Sequence, residues 1–155
     1  MTDKQAILAV LTPLAVLKAM TPEAERSVAD GMIVAGMVSI RRFPFRIGRE
    51  SRGRMIDGKF HRQERPKLGN REPNNDLYLV DAGMPLQISR EHLRIEKTAA
   101  GYVVVDRGSA CGTTVAGGTR VGGNDTDGSA PLKDGDTIGI GTQTTPFVFS
   151  FITLA

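Results

Sequence analysis

The sequence predicts an all-β fold, a sandwich or barrel built from many short strands. Glycine is frequent, with 18 of 155 residues, and this favours a chain that turns often. Apolar runs of strand length lie between glycine-rich turns at close spacing, which is typical of such folds. Near the C-terminus, Phe147, Phe149 and Phe151 alternate with other residues, as expected for a strand with one buried face.

Two short helices are predicted near the N-terminus. Thr2 and Gln5 have the spacing of a capping box, an apolar run follows, and Pro13 would end the first helix. A second helix is predicted over residues 21–31, with a threonine cap, a proline at the first helical position and a glycine stop.

Nine further runs have the length and the residue types of strands. They are residues 14–20, 38–42, 45–47, 77–80, 93–96, 102–106, 113–115, 136–140 and 147–153. Residues 102–105 (Tyr-Val-Val-Val) are apolar throughout, which favours a strand that is covered on both faces.

Residues 51–73 lack apolar periodicity, and we predict a long loop there. The segment from Arg41 to Arg71 holds 11 basic and three acidic residues, whereas the whole chain has a net charge of only +3. Charge concentrated in this way creates a local positive field, which attracts polyanions.

Four motifs follow one another along the chain. They are residues 47–49 (Ile-Gly-Arg), 88–92 (Ile-Ser-Arg-Glu-His), 106–113 (Asp-Arg-Gly-Ser-Ala-Cys-Gly-Thr) and 132–138 (Leu-Lys-Asp-Gly-Asp-Thr-Ile). In this order they resemble the Gly-Arg, Ser-Arg-x-His, Asp-x-x-Ser-x-Asn-Gly-Thr and Leu-x-x-Gly-Asp elements of forkhead-associated (FHA) domains. The resemblance divides the chain into an N-terminal extension, residues 1–13, and an FHA domain, residues 14–155, with residues 51–73 as an inserted basic loop.

The resemblance implies a two-sheet β-sandwich of about eleven strands, whose apical loops hold a phosphothreonine-containing peptide. Arg49, Ser89 and Arg90 match the positions that contact the phosphate. Phosphothreonine carries a charge of about −1.5 to −2 and three strong acceptor oxygens. A guanidinium donates two hydrogen bonds to one such group, and we expect the hydroxyl and local N–H groups of Ser89 to face the same anion.

Other motif residues have structural roles in the family that the chain resembles. His92 would tie loop backbone together through its ring nitrogens. Gly48 would let the backbone turn sharply before Arg49. Gly112 would adopt a positive φ, and Thr113 would begin the next strand.

Cys111 is the clearest departure from the FHA pattern, which has Asn at that position to hold the peptide backbone. A thiol is a weak donor and a weak acceptor and does not reproduce that contact. Ala110 likewise lacks the polar group often found there, so Ser109 or the basic loop would have to compensate. The open alternative is an FHA-fold protein–protein interaction scaffold that does not depend on phosphate.

The remaining function classes are less favoured. The sequence has no paired-carboxylate, metal-ligand, nucleophile–base or P-loop pattern, so we predict no enzyme activity, no metal and no cofactor. The basic segment has few aromatic residues and no base-reading motif, which makes nucleic-acid binding a weak alternative. The apolar N-terminus is too short to span a bilayer, and a single cysteine indicates a reducing compartment. We therefore expect a cytoplasmic protein without a membrane partner. The resemblance to FHA domains implies a bacterial-type module of Ser/Thr kinase signalling, and homodimer formation stays open.

Overall fold

The computed structural model describes residues 1–62, 73–124 and 128–154. Within these ranges the helices are α1 (Asp3–Leu11) and α2 (Pro22–Ser27), with a 3₁₀ turn at Asp30–Met32. The strands are β1 (Ala15–Ala19), β2 (Met37–Ile40), β3 (Phe45–Arg49), β4 (Gly53–Ile56), β5 (Lys59–Arg62), β6 (Leu77–Leu79), β7 (Leu93–Thr98), β8 (Gly101–Asp106), β9 (Thr113–Val115), β10 (Thr119–Val121), β11 (Gly128–Leu132), β12 (Thr137–Ile140) and β13 (Val148–Thr153).

Eleven of these strands form two sheets, which confirms the predicted all-β sandwich. One sheet has the order β10-β9-β12-β13-β1-β2, and the other has the order β11-β8-β7-β3-β6. Neighbouring strands are antiparallel except for β3 and β6, which run parallel. The hairpin β4–β5 forms a separate two-stranded sheet.

The core lies between the two sheets and is built from alternate residues of their strands. The six-stranded sheet contributes Leu17, Ile40, Ile138, Phe149 and Phe151, and the five-stranded sheet contributes Ile47, Leu77, Leu93, Ile95 and Val104. The expectation that residues 102–105 are covered on both faces is wrong. Val104 is fully buried, whereas Val103 and Val105 are only half-buried, because the sandwich has two layers and leaves one face of each sheet outside.

All nine predicted runs are strands, with ends that differ by two residues or fewer. The sequence missed β4, β5, β10 and β11. The long loop predicted over residues 51–73 is wrong in its first half, where β4 and β5 are joined by Asp57 and Gly58, both at positive φ (50° and 77°). An Asp-Gly pair between two short runs is a hairpin signal. The second half of the predicted loop falls on residues 63–72, which lie outside the described residues.

Both helices begin where the sequence predicts. The capping box between Thr2 and Gln5 is present at the start of α1, and Thr21 caps α2. However, α2 ends at Ser27 rather than near Gly31, because the carbonyl of Ser27 accepts the N–H of Val80 (2.8 Å) and the chain leaves the helix to join the sandwich. Neither described helix is long and apolar enough to cross a membrane.

The strand register brings three connecting segments to one end of the five-stranded sheet. Ile47 near the end of β3 pairs with Leu93 at the start of β7, and Leu93 also pairs with Asp106 at the end of β8. The residues that follow β3, precede β7 and follow β8 therefore meet there. These segments carry three of the four sequence motifs.

Candidate functional site

Arg49 and Ser89 are adjacent at this end of the sandwich. The backbone N–H of Arg49 donates to the carbonyl of Ser89 (2.9 Å), and Nε of Arg49 donates to the carbonyl of Ile88 (2.9 Å). These two bonds fix the direction of the half-buried guanidinium. Its Nη1 and Nη2 atoms donate to no residue in the described part of the chain, so they are available to a ligand.

Ser89 links this arginine to the loop between β8 and β9. Its Oγ accepts the N–H of Ala110 (3.0 Å), and its own N–H donates to Nδ1 of His92 (3.0 Å). The expectation that this N–H faces an anion is therefore wrong, because His92 already occupies it. Within the described ranges the hydroxyl oxygen of Ser89 acts only as an acceptor, so its proton is available to a ligand.

His92 is fully buried and connects two loops. Nδ1 accepts a hydrogen bond from Ser89, so Nε2 carries the proton, and Nε2 lies 2.8 Å from the carbonyl of Gly112. Burial lowers the pKa of His92 below its usual value, more than the bond to Gly112 and the charge of Asp106 raise it. A neutral histidine with both nitrogens engaged fixes backbone and does not take part in proton transfer.

Arg90 is the second cation at the site. Its side chain is exposed, and neither its guanidinium nor its backbone N–H donates to any residue among those described. Its carbonyl accepts Nδ2 of Asn75 (2.7 Å), which fixes the backbone from which the side chain extends.

Arg49, Ser89 and Arg90 together offer two guanidinium groups and one hydroxyl at one end of the molecule. Such a set fits an oxyanion with several acceptor atoms, because charge-assisted hydrogen bonds from guanidinium are short and strong. No group of three or more His, Cys, Asp or Glu side chains in the described ranges is arranged to hold a metal ion.

Comparison with protein families supplies the assignment. The model of the FHA domain matches residues 45–141, well over half of the chain and all of the residues above. The chain belongs to the FHA family. No curated protein matches the chain at a significant level.

Two solved structures resemble this FHA protein. Mycobacterium tuberculosis EmbR, in complex with a low-affinity phosphopeptide, aligns with a TM-score of 0.53 and 21% identity, over 96% of this chain and 28% of the EmbR chain. The FHA domain of an Arabidopsis thaliana hypothetical protein aligns with a TM-score of 0.49 and 25% identity, over 91% of this chain and 84% of that one. The likeness to EmbR shows a shared fold, and this chain spans only about a quarter of that protein.

Ser109 lies inside the protein, whereas we expected either Ser109 or the basic loop to compensate for Cys111 in contacting a peptide. Ser109 is fully buried. Its Oγ donates to Oδ2 of Asp106 (2.7 Å) and accepts the N–H of Gly112 (2.9 Å). The hydroxyl of Ser109 thus donates one hydrogen bond and accepts another within the loop between β8 and β9. Thr113 begins β9 and also donates to Asp106 (3.0 Å), and Gly112 has a φ of 80°.

Gly48 is required for close packing and not for the expected sharp turn. It lies inside β3, and a Cβ added there would be 2.0 Å from the carbonyl oxygen of Arg90 and 2.6 Å from Nδ2 of Asn75. The sequence analysis did not identify Asn75 and Arg107, whose side chains hold this contact in place. Arg107 donates to Oδ1 of Asn75 (2.7 Å), while Asn75 holds Arg90. In the sequence, only the pair Asn74-Asn75 before β6 pointed to this position, and such a pair is not a specific motif.

Cys111 lies beside Ala110 in the same loop and is half-buried. Its Sγ is 3.6 Å from the carbonyl of Leu86, and its carbonyl accepts a hydrogen bond from Arg120. Arg120 also donates to the carbonyl of Gly141 (2.6 Å). Cys111 thus lies at the junction of two loops, with its backbone fixed and its thiol next to Leu86.

Several cations of the basic segment have partners within the fold. Arg42 and Arg46 pair with Asp76 (3.3 and 3.1 Å). Although burial raises the pKa of Asp76, the hydrogen bonds from Arg46 and Arg42 and the positive charge of Arg46 outweigh it, and its pKa lies below the usual value. Arg52 pairs with Glu50 (2.6 Å). Three arginines near β3 are therefore paired with carboxylates, and this partial neutralisation argues against a continuous nucleic-acid surface in the described part of the segment.

Proposed function

We propose that this FHA protein binds phosphothreonine-containing protein segments in Ser/Thr kinase signalling. One observation carries the proposal: the Nη atoms of Arg49, which have no partner among the described residues, and the hydroxyl of Ser89 are held at one place, with Arg90 next to them. The EmbR chain, which shares the fold, was solved with a phosphopeptide, and this supports a peptide ligand for the present chain.

The affinity expected from these groups suits reversible signalling. Each charge-assisted hydrogen bond contributes about 1.5–3 kcal/mol. Two or three of them, less the cost of ordering a flexible peptide, leave micromolar binding, which corresponds to about −8 kcal/mol.

A scaffold that binds its partner without phosphate is the second candidate. The observation that favours it is the pair Ala110 and Cys111, which lacks an amide to hold a peptide backbone. In that case the partner would bind equally well with threonine or phosphothreonine.

Titration of labelled peptides by fluorescence polarisation tests the two candidates. Each phosphothreonine peptide is compared with its unphosphorylated twin, on the wild type, Arg49→Ala and Ser89→Ala. We expect binding only of the phosphorylated form, a loss of tenfold or more in Arg49→Ala (~1.5 kcal/mol or more), and a smaller loss in Ser89→Ala.

Arg26→Ala is the matched control, because Arg26 is exposed on α2 and makes only a loose pair with Glu23 (3.8 Å). It should bind as the wild type does. Equal binding of both peptide forms would establish the scaffold, and unchanged phosphopeptide binding in both site variants would rule out the site.

A further inference from the structure

Residues 81–88 border the phosphate-binding groups on the side of Cys111. The carbonyl of Ile88 accepts Nε of Arg49 (2.9 Å), and the carbonyl of Leu86 is 3.6 Å from Sγ of Cys111. A ligand segment that reaches Arg49 therefore has this loop next to it.

The carboxylate of Asp81 holds this loop in one shape. It accepts the N–H groups of Gly83 (2.9 Å), Gln87 (2.6 Å) and Ile88 (3.0 Å). In addition, Oε1 of Gln87 accepts the N–H of Thr142 (2.9 Å) from the loop that follows β12. A loop fixed in this way presents its side chains without a large entropy cost on binding.

The side chains that the loop presents are apolar. Met84 is 98% exposed and Leu86 is 45% exposed, and Pro85 and Ala110 are exposed beside them. Together with Cys111 these residues form what we call the apolar rim. No residue in 82–89 or 109–111 is charged, so the apolar rim contrasts with the cations Arg49 and Arg90.

We propose that the apolar rim binds an apolar side chain next to the phosphothreonine of the ligand, and so selects phosphothreonine segments with an apolar neighbour. This proposal rests on the proposed function, because the rim is continuous with the phosphate site through Cys111 and Ile88. Contact with the rim replaces the backbone hydrogen bonds that a thiol does not make. An acidic side chain there finds no cation on the rim and is desolvated against methionine and leucine. We expect a preference of about tenfold for an apolar over an acidic neighbour.

Phosphothreonine peptides that differ only at the flanking positions test this inference. Leucine, serine or aspartate is placed at each flanking position in turn, and the dissociation constants are measured with the wild type, Leu86→Ser and Met84→Ser. Met84 is almost fully exposed, so Met84→Ser keeps the fold even if Leu86→Ser does not. The matched control is Val34→Ser, since Val34 is also exposed (77%) but lies in the turn before β2.

The expected result is a preference for leucine at one flanking position that falls at least threefold in either rim variant and not in Val34→Ser. Equal affinity for all flanking residues, or a preference that persists in both rim variants, would overturn the inference while leaving phosphate dependence intact. The unphosphorylated twins could show the same preference for leucine, abolished in the rim variants. That result would support binding by the apolar rim and contradict the proposed dependence on phosphate.

Discussion

Asp106 is the last residue of β8, before the loop that carries Ala110 and Cys111, and is almost completely buried. Its carboxylate accepts the N–H groups of Gly108 and Ser109 and the hydroxyls of Ser109 and Thr113. A buried carboxylate, hydroxyl or N–H group without a hydrogen-bond partner lowers the stability of the folded state. The exposed donors at the site therefore lie above a buried frame, and among the described residues no buried side-chain nitrogen or oxygen lacks a hydrogen-bond partner.

A substitution at Gly48 tests how closely the backbone is packed around the site. Gly48→Ala places a methyl group against the carbonyl of Arg90 and the amide of Asn75, and we expect it to lower the free energy of unfolding by about 1–3 kcal/mol. Gly118→Ala is the control, because a Cβ there has no neighbour within 4 Å. Chemical denaturation measures both variants. Equal stability of the two would show that the contact at Gly48 is not tight.

His92 makes the stability of the domain depend on pH. Burial is the main cause that holds its pKa below the usual value, while in the unfolded chain the pKa is about 6.5. As the pH falls below about 6.5, the unfolded state takes up a proton that the native state does not, so stability decreases, by at most about 1.4 kcal/mol per pH unit.

The measurement is the free energy of unfolding by urea at about pH 7.5 and about pH 5. His92→Gln should be less stable than the wild type at the higher pH and should lose less stability on acidification. An identical loss in the variant would assign the pH dependence to other groups.

Helix α1 exposes most of its apolar side chains. None of its residues is buried, and Ile7, Leu8, Val10 and Leu11 are between 57% and 76% exposed. Arg41 joins its C-terminal end to the sandwich by donating to the carbonyls of Val10 (3.2 Å) and Leu11 (3.0 Å). Helices of about nine residues are marginal in water without packing.

Hydrogen exchange should therefore separate α1 from the sheets. We expect the amides of α1 to exchange within seconds to minutes and those of β13, at the centre of the six-stranded sheet, to be the best protected. Mass spectrometry of the exchanged protein measures the contrast. Strong protection of α1 at low protein concentration would mean that it packs more firmly than its exposure indicates, and protection that appears only at high concentration would indicate a homodimer.

For the whole molecule, the charge distribution controls how binding responds to salt. The excess of cations in residues 41–71 is partly neutralised by Asp76 and Glu50, but Arg49 and Arg90 keep donors that no described residue engages. We expect phosphopeptide binding to weaken several-fold between about 0.05 and about 0.5 M salt, because screening shortens the Debye length to a few ångströms.

The comparison of Arg90→Ala with Lys18→Ala identifies the source of this effect. Lys18 is exposed on β1, in the other sheet. The salt dependence should become shallower in Arg90→Ala and stay the same in Lys18→Ala. An equal change in both would mean that overall charge, rather than the site, attracts the ligand.

Local sequence patterns predicted nine of the strands and the caps of both helices. Alternation predicted the buried face of β13, and residue type predicted the threonine caps of both helices. Of the strands that were missed, β11 depends on a distant partner, β8, and contains Pro131, which only an edge strand tolerates. The strands β4, β5 and β10 pair with neighbours in the chain, and the Asp-Gly pair between β4 and β5 was a usable hairpin signal.

Which donors of the motif residues are available depends on contacts that form only in the folded protein. The motifs predicted that Arg49 and Ser89 lie close together. They did not predict that Ser109 is buried or that the N–H of Ser89 donates to His92. The role of Gly48 depends on Asn75 and Arg90, which are 27 and 42 residues away. Hydrogen-bond partners and exposure are set by contacts between distant segments, and local sequence patterns do not encode them.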